Sequence, residues 1–317
     1  METIGNVWLW GGFAVVVIAA LLVDLVLMRH GGPHKVTFKE ALWWSIGWVA
    51  LALAFNAGLW WYLRETVDVA LGNRIGLEFL TGYLVEKSLA VDNIFVFLML
   101  MTYFAVPEEQ RQRVLVIGVL GAIVLRAIMI FAGVALLARF HWLLYVFGAF
   151  LLLTGVKMWF SAGQEPDLEA NPALRFMRRH LRISPDYHGN ALTIVRERKR
   201  WFTPMFVVLV LIAVTDVIFA VDSIPAIFAI TTDPFVVLTS NVFAVLGLRA
   251  MFFLLAGMAD RFHLLPYGLA VVLVFIGLKM LLIDLVKLPV LVSLGAVVVI
   301  IGTTMLLSLK LPPKQAQ

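Results

Sequence analysis

The sequence predicts an all-α fold, a polytopic membrane protein with about nine transmembrane helices that include an inverted repeat of three-helix units. Of its 317 residues, 62% are hydrophobic and only 14% are charged, and the mean hydropathy is +0.97. Soluble domains of this size are not that apolar. Nine segments of 19 to 30 residues are long enough to cross a bilayer as helices, which satisfy their own backbone hydrogen bonds in lipid. These predicted spans are 7–28, 40–62, 75–104, 113–138, 142–160, 203–231, 235–258, 263–286 and 288–309.

The spans divide the chain into five predicted parts. The first two helices, the first three-helix unit, a cytoplasmic loop, the second and inverted three-helix unit, and the last helix with a cytoplasmic tail occupy 1–74, 75–160, 161–202, 203–286 and 287–317. The loop ends in the basic run RERKR just before the next span. We interpret it as a solvated linker with a juxtamembrane anchor, and a regulatory or lipid-sensing role is the alternative.

The distribution of lysine and arginine predicts the orientation in the membrane. When the nine helices alternate in direction, the loops of one side carry only Arg64, Arg74, Arg139 and Lys287. Four of the 25 basic residues lie well inside the spans, and the remaining seventeen, which include Arg113 and Lys157 near span ends, fall on the opposite side. Because cytoplasmic loops carry the excess of positive charge, we expect the N-terminus outside and the C-terminus in the cytoplasm of a bacterial inner-membrane protein. This distribution explains the pI near 9.6 without a nucleic-acid partner.

A three-helix unit occurs twice in the sequence. EKSLAVDN at 86–93 aligns with DVIFAVDS at 216–223. The match continues downstream, where Arg126-Ala127 aligns with Arg249-Ala250 and GVKM at 155–158 with GLKM at 277–280. Each unit contains three helices, which is an odd number. The second unit must therefore enter the membrane from the opposite face. Inverted repeats are typical of secondary transporters, whose binding site lies near the midplane between the halves.

Charged residues inside the repeat are the candidate functional residues. The acids are Glu86, Asp92, Asp216 and Asp222, and the bases are Lys87, Arg126 and Arg249. A charge near the bilayer centre costs roughly 2.5–3.5 kcal/mol on insertion scales, so these acids need compensation. We expect the two arginines and Lys87 to form supporting ion pairs. The remaining negative charge could be balanced by a divalent cation or by a proton, and purely structural ion pairs are the alternative.

The spacing of the acids limits how they can share one ion. Residues six apart on an ideal helix lie about 9 Å apart along the axis and about 120° apart around it. Glu86 and Asp92 therefore cannot chelate one ion from an intact helix, so either a helix unwinds or each unit contributes one acid. Pro225 favours a break in the span 203–231. Neutral oxygens for a ligand set are available from Asn93, Ser223, Thr215 and Asn241.

The residue types predict a hard divalent cation. Carboxylate, amide and hydroxyl oxygens suit Mg²⁺, Ca²⁺ and Mn²⁺. The sequence has no cysteine, which excludes disulfides and thiolate ligands from its residues. It also has no phosphate-binding loop, zinc-protease motif or Ser/His/Asp spacing. We therefore expect a protein that is not an enzyme and has no cofactor, with the metal as a transported substrate.

At EKSLAVDN and DVIFAVDSIPAIFAIT the sequence resembles the TerC family of integral membrane proteins, and more closely its Alx branch. The likeness continues through LTGYLVEKSLAVDNIFVFLML, VLGAIVLRAIMIF and LGLRAMFFLLAG, over nearly the whole chain. The resemblance implies a relation to small transporters with inverted three-helix repeats, and it implies manganese export. It also implies that the four acids named above match the intramembrane acids of the family.

The leading hypothesis is a secondary transporter that exports a divalent metal ion, above all Mn²⁺, with protons as the coupling ion. Asp92 and Asp222 would form the core of a midplane site, Glu86 and Asp216 would be flanking ligands or proton carriers, and Asn93 with Ser223 would be secondary ligands. One alternative is a non-transporting membrane scaffold or metal-delivery partner for secreted metalloenzymes. Another is an intramembrane enzyme with an aspartate pair. The sequence does not distinguish Mn²⁺ from Mg²⁺ or Ca²⁺, and it does not give the oligomeric state.

Overall fold

The structure is a computed structural model of the 317-residue chain, and its described part is almost entirely helical. It describes residues 3–30, 37–140, 142–161, 171–189, 191–196, 198–256, 263–285 and 288–311, except the side chains of 25–30, Val91 and Asp92. The helices are α1 (Val7–His30), α2 (Phe38–Thr66), α3 (Val69–Tyr103), α4 (Glu108–Arg139), α5 (Leu143–Ser161), α6 (Pro172–His180), α7 (Pro204–Phe228), α8 (Pro234–Leu246), α9 (Leu248–Ala256), α10 (Leu265–Leu281) and α11 (Val290–Lys310). The strands are β1 (Thr193–Arg196) and β2 (Lys199–Phe202).

The predicted all-α, polytopic membrane fold is confirmed. Six described helices are long and apolar enough to cross a membrane, namely α1, α2, α4, α5, α7 and α11, and α8 with α9 forms a seventh span bent by 40°. The other two predicted spans are occupied by α3, which carries several charges, and by α10, which has only 17 residues. The count of nine spans and the inverted orientation of the repeat therefore remain predictions.

Local sequence signals fix where several helices begin. The Asp68 carboxylate accepts hydrogen bonds from the first free N–H groups of α3, at 2.9 and 3.0 Å. Asp233 caps α8 in the same way, and proline occupies the first turn of both α7 and α8. Such caps satisfy amide groups that have no partner within the helix.

The break expected at Pro225 is absent, and the second unit is broken elsewhere. α7 continues through Pro225 to Phe228, because the proline lies close to the end of the helix, where few helical hydrogen bonds follow it. The bend lies instead at Gly247, between α8 and α9. There Lys87 Nζ donates a hydrogen bond to the Ala244 carbonyl at 3.1 Å. A Cβ atom on Gly247 would lie 2.7 Å from that ammonium and 3.0 Å from Trp48 Cβ, so any side chain here would displace the lysine.

The segment interpreted as a linker contains a small folded module over its described residues. The amphipathic helix α6 buries Leu174 and Met177, and β1 pairs with β2 in antiparallel register. The Tyr187 hydroxyl donates to the Phe104 carbonyl at 2.8 Å and ties the module to the end of α3. Burial raises the pKa of Tyr187 to about 12. Residues 162–170 of the predicted loop and 312–317 of the predicted tail lie outside the described residues.

The two three-helix units pack against each other along all their helices. α3 and α4 each contact both α7 and α8, and α5 lies along α10. A Cβ atom on Gly155 would lie 2.8 Å from the Ala270 carbonyl oxygen, and one on Gly277 would lie 2.8 Å from the Gly148 carbonyl oxygen. The offset of 122 that relates GVKM to GLKM maps each of these two contacts onto the other. A two-fold relation between the units would produce this reciprocity.

Candidate functional site

A buried ion-pair network joins the two units. Arg126, near the middle of α4, lies between Glu86 of α3 and Asp216 of α7 and forms an ion pair with each. Its Nη2 and Nε atoms donate to Asp216 Oδ1 at 3.0 and 3.4 Å, and its Nη1 donates to Asn241 Oδ1 at 3.2 Å. The side chains of Arg126, Glu86 and Asp216 are 1%, 0% and 2% exposed. The network is therefore closed to solvent in this conformation.

The charges of this network do not cancel. Two carboxylates surround one guanidinium, which leaves one negative charge unless a proton or a cation is also bound. Lys87 follows Glu86 in the chain, but its ammonium donates to a backbone carbonyl at the α8–α9 bend. Removing one member of a buried ion pair costs about 3–5 kcal/mol, because the remaining charge is left in a medium of low dielectric constant. The network thus contains one fixed cation, the Arg126 guanidinium, and a second cation could balance its remaining negative charge.

Several oxygen atoms of α3 and α7 are buried without a hydrogen-bond partner among the described residues. They are Glu86 Oε2, Asn93 Oδ1, Asp216 Oδ2 and Ser223 Oγ. Asn93 and Ser223 match each other in the repeat and are 1% and 2% exposed. A buried polar atom that lacks a partner costs about 1–3 kcal/mol, and such atoms are uncommon in native proteins. Oxygens of this kind are suited to a bound cation or water.

Helices α3 and α7 meet at one end of the molecule. Residues from the first half of α3 and residues that follow α7 line the same cleft at one end of the molecule. The helices touch where a Cβ atom on Gly82 would lie 3.7 Å from Ile227 Cγ2.

Counting away from that contact pairs an acid of one unit with a neutral oxygen of the other. Four residues further along α3 and four residues back along α7 reach Glu86 and Ser223. Seven more residues on each helix, about 10 Å of rise, reach Asn93 and Asp216. The unpartnered oxygens are therefore distributed along the α3–α7 contact, with the Arg126 guanidinium between the two carboxylates.

The two aspartates expected at the core of the site are not part of this network as far as the structure describes them. Asp222 is half-buried and lies close to the Thr154 hydroxyl of α5 and to the positive charge of Lys157. Asp92 lies in α3, and its side chain is outside the described residues. Because α7 is continuous, Asp216 and Asp222 lie about 9 Å apart along its axis and do not converge.

No group of three acidic or histidine side chains close enough to hold a metal ion occurs in the described part of the chain. Continuous helices explain this finding, since the six-residue spacing of the acids survives in both α3 and α7. A cation at the network would thus need neutral oxygens or a rearrangement of Arg126 to complete its ligands.

Arg249 pairs outside the repeat. Its Nη2 forms a short ion pair with Asp24 of α1, and the two side chains are 13% and 12% exposed. Arg249 was expected to pair with one of the four candidate acids, but in the structure it pairs with Asp24 instead. The sequence signal for this pair was a single aspartate in an otherwise apolar first span. Glu78 is a further acid inside a predicted span, 75–104, and it was not among the predicted site residues. A charged residue in an apolar span is again the signal that indicates it.

Comparison with known proteins identifies the family. The family described as "Integral membrane protein TerC family" matches residues 71–316, which include every residue of the Arg126 network. The chain belongs to the TerC family. It is 55% identical over 308 residues to "Putative membrane-bound redox modulator Alx" of Salmonella typhi and of Escherichia coli strain K12, covering 97% of this chain and 96% of each relative. A membrane protein of Myxococcus xanthus is 49% identical over 312 residues, which is 98% of this chain and 95% of that protein. No solved structure matches.

The comparison confirms the resemblance and the Alx-like branch of this TerC protein. It also shows an integral multi-pass membrane protein of a bacterial family.

Proposed function

We propose that this TerC-family protein is a secondary transporter that exports a divalent metal ion, above all Mn²⁺, from the cytoplasm. The supporting observation is the set of buried, unpartnered oxygens on α3 and α7, contributed by both units around one fixed cation. Carboxylate, amide and hydroxyl oxygens are ligands that Mn²⁺ accepts. Their position inside the bundle, at the contact of the two units, is where transporters with repeated units bind their substrates.

Arg126 has a specific role in this proposal. In the described conformation its guanidinium forms an ion pair with both Glu86 and Asp216, and all three side chains are buried. A divalent cation that enters from the cytoplasmic side competes with the guanidinium for the same carboxylates. Arg126 is then released from at least one acid, and this change favours the opposite tilt of the two units. The arginine returns when the metal leaves, so the empty site is never a bare pair of carboxylates.

Proton antiport is the coupling that this chemistry supports. A carboxylate must be ionised to bind a metal, so metal binding displaces protons and proton binding displaces metal. Glu86 and Asp216 serve as flanking ligands or proton carriers, while Asp92 and Asp222 hold the ion on either side of the network. Asn93 and Ser223 add neutral ligands.

The proposal also includes the setting of the protein. It is placed in the bacterial inner membrane with the N-terminus outside and the C-terminus in the cytoplasm. Its partners are the divalent cation, protons and the lipid bilayer, with no nucleic acid, no resident cofactor and no enzymatic reaction. The relatives are named for redox modulation, and the lack of cysteine excludes thiol–disulfide exchange by the residues of this sequence.

The second candidate function is a membrane scaffold that delivers metal to secreted metalloenzymes without transporting it. The same ion pairs favour it, because each acid of the network is already paired with Arg126 and is closed to solvent. A scaffold needs these pairs only to hold its helices together. Metal flux across the membrane therefore distinguishes a transporter from a scaffold.

The test is metal flux into sealed proteoliposomes that contain only this protein, across an imposed pH gradient. Mn²⁺, Mg²⁺, Ca²⁺ and Zn²⁺ are compared, and wild type is compared with Asp92→Asn and Asp222→Asn. We expect Mn²⁺ flux that depends on the pH gradient and falls at least tenfold in both variants. An absence of flux with a correctly folded wild type supports the scaffold. Normal flux in both variants contradicts the assignment of these two aspartates.

A further inference from the structure

A cleft opens at the end of the molecule that the charge distribution places outside. Its volume is about 910 Å³, and it is lined by the first residues of the chain, the end of α2, the first half of α3 and the residues that follow α7. The Arg126 network lies further along the same two helices, α3 and α7.

Glu78 is the acid at the inner wall of this cleft. Its side chain is only 7% exposed, and its Oε1 accepts from Arg74 Nε at 3.1 Å. Its Oε2 is buried and has no hydrogen-bond partner among the described residues, although the Thr231 hydroxyl lies close to the carboxylate. A buried carboxylate oxygen of this kind is suited to a water or cation ligand.

The other charged residues around Glu78 differ from it in exposure and in hydrogen bonding. Arg74 is 65% exposed, so its guanidinium can swing into water without a large desolvation cost. Asp233 is engaged by the amide of Ile4 at 2.7 Å and by the first N–H groups of α8. Lys279 lies at the end of α10 and contributes a positive charge near Glu78. Only the Glu78 carboxylate combines burial, an unpartnered oxygen and access to the cleft.

The backbone adds to the preference for a cation. The cleft includes the residues that follow the last turn of α7, where the carbonyl end of the helix carries a partial negative charge. Glu78 also lies eight residues before Glu86 on α3, about 12 Å or two turns towards the cleft. A cation that leaves the network along the α3–α7 contact towards this end reaches Glu78 next.

We propose that Glu78 and the Thr231 hydroxyl form a second, weaker binding site for a hydrated divalent cation, at which the exported ion is released to the outside. This inference rests on the proposed function, because it assigns the exit of the same transport path. When the ion arrives, Arg74 moves from Glu78 into solvent, and it returns once the ion has left. The site thus keeps the cation briefly and prevents it from returning to the network.

The experiment compares wild type with Glu78→Gln in the full-length protein. The matched control is Glu65→Gln, which removes an exposed carboxylate at the same end of the molecule, on the last turn of α2. Mn²⁺ binding to the purified protein is followed by electron paramagnetic resonance. In proteoliposomes, inhibition of export by Mn²⁺ added to the outer face is measured separately from half-saturation at the cytoplasmic face.

We expect Glu78→Gln to weaken the lower-affinity class of Mn²⁺ site about tenfold and to raise the outer inhibitory concentration about tenfold. Half-saturation at the cytoplasmic face should change less than twofold, and Glu65→Gln should behave as wild type. If Glu78→Gln does not fold, Glu78→Asp keeps the charge with a shorter reach and should shift the same two quantities about threefold. A response equal to that of Glu65→Gln, or an equal shift at both faces, overturns the exit site.

The two proposals fail in different ways. If wild type shows no metal flux, the transport function is wrong, and the resonance titration still decides whether Glu78 binds Mn²⁺. If wild type transports normally and Glu78→Gln is unchanged in both assays, only the exit site is wrong.

Discussion

Arg126 and Arg249 match each other in the sequence repeat, yet they lie in different surroundings. Arg126 contacts an acid from each unit and is 1% exposed. Arg249 contacts Asp24 of α1, a helix outside the repeat, and this pair is 13% and 12% exposed. The helix that carries Arg126 is continuous, whereas Arg249 follows directly after the bend at Gly247.

The difference shows how an added helix changes a repeated unit. Without α1, Arg249 would be an unpaired cation inside the bilayer, which is costly. Asp24 removes that cost and anchors α1 to the bent part of the second unit. Arg126 is then the arginine that contacts acids of both units. The network that we assign to transport is therefore asymmetric, although the two arginines match each other in the sequence repeat.

The largest effect is expected from Arg126→Gln. The variant leaves Glu86 and Asp216 buried with no guanidinium between them, and we expect a loss of about 3–5 kcal/mol of stability, seen as poor recovery and early melting in detergent. Adding Glu86→Gln removes one of the two stranded charges and should restore part of the loss. Melting of Arg126→Gln at the wild-type temperature would contradict the network.

The crossing of α5 and α10 tests whether the units are related by a two-fold axis. Gly155→Ala and Gly277→Ala each place a methyl group against backbone atoms of the other helix, and each should cost about 1–3 kcal/mol. Gly121→Ala is the control, since nothing lies within 4 Å of its Cβ position. This control should melt at or above the wild-type temperature, because alanine favours helix. Unequal penalties at 155 and 277 would argue against the two-fold relation.

A smaller effect is expected from the Arg249 pair. Asp24→Asn or Arg249→Gln should lower stability by about 1–2 kcal/mol, because this pair is less completely buried than the Arg126 network. In a double-mutant cycle the two losses should not add, with a coupling of about 0.5–2 kcal/mol. Metal binding should be retained. A loss as large as that of Arg126→Gln would remove the distinction between the two arginines.

The smallest effect concerns the module that contacts the end of α3. Tyr187→Phe removes the hydrogen bond to the Phe104 carbonyl and should cost about 1 kcal/mol, measured as a shift in melting temperature. Burial raises the pKa of Tyr187 from about 10 to about 12, so the phenol stays protonated longer in the folded state. Its stabilisation is fully present below pH 10 and is lost as the pH rises towards 12. The difference between variant and wild type should therefore be constant from pH 6 to about pH 9 and shrink above pH 10.

Much of the fold followed from the sequence, because hydropathy reports directly which segments lie in lipid. A helix or a bent helix pair occupies each predicted span, and Arg126 pairs with two of the expected acids. Contacts that depend on rotation about a helix axis were not predictable in this way. The Asp24–Arg249 pair and the Thr154 partner of Asp222 are of this kind, since they join residues far apart in the chain.

Two further differences have local causes. Pro225 was expected to break α7, but it lies so near the end of the helix that α7 ends three residues after it. The bend lies instead at Gly247, which has no side chain. The basic segment before α7 looked like a linker because its apolar residues are few. Leu174 and Met177 are nevertheless enough to dock α6 against the bundle.

The most direct test is the anomalous scattering of Mn²⁺ in crystals of the full-length protein soaked with the ion. We predict a peak inside the bundle that is coordinated by unpartnered oxygens of α3 and α7, with Asn93, Asp216 or Ser223 among the ligands, and with Arg126 moved away from one of its acids. A bundle that shows no Mn²⁺ between α3 and α7, with Arg126 still bound to both Glu86 and Asp216 at a saturating concentration, would contradict the transport site.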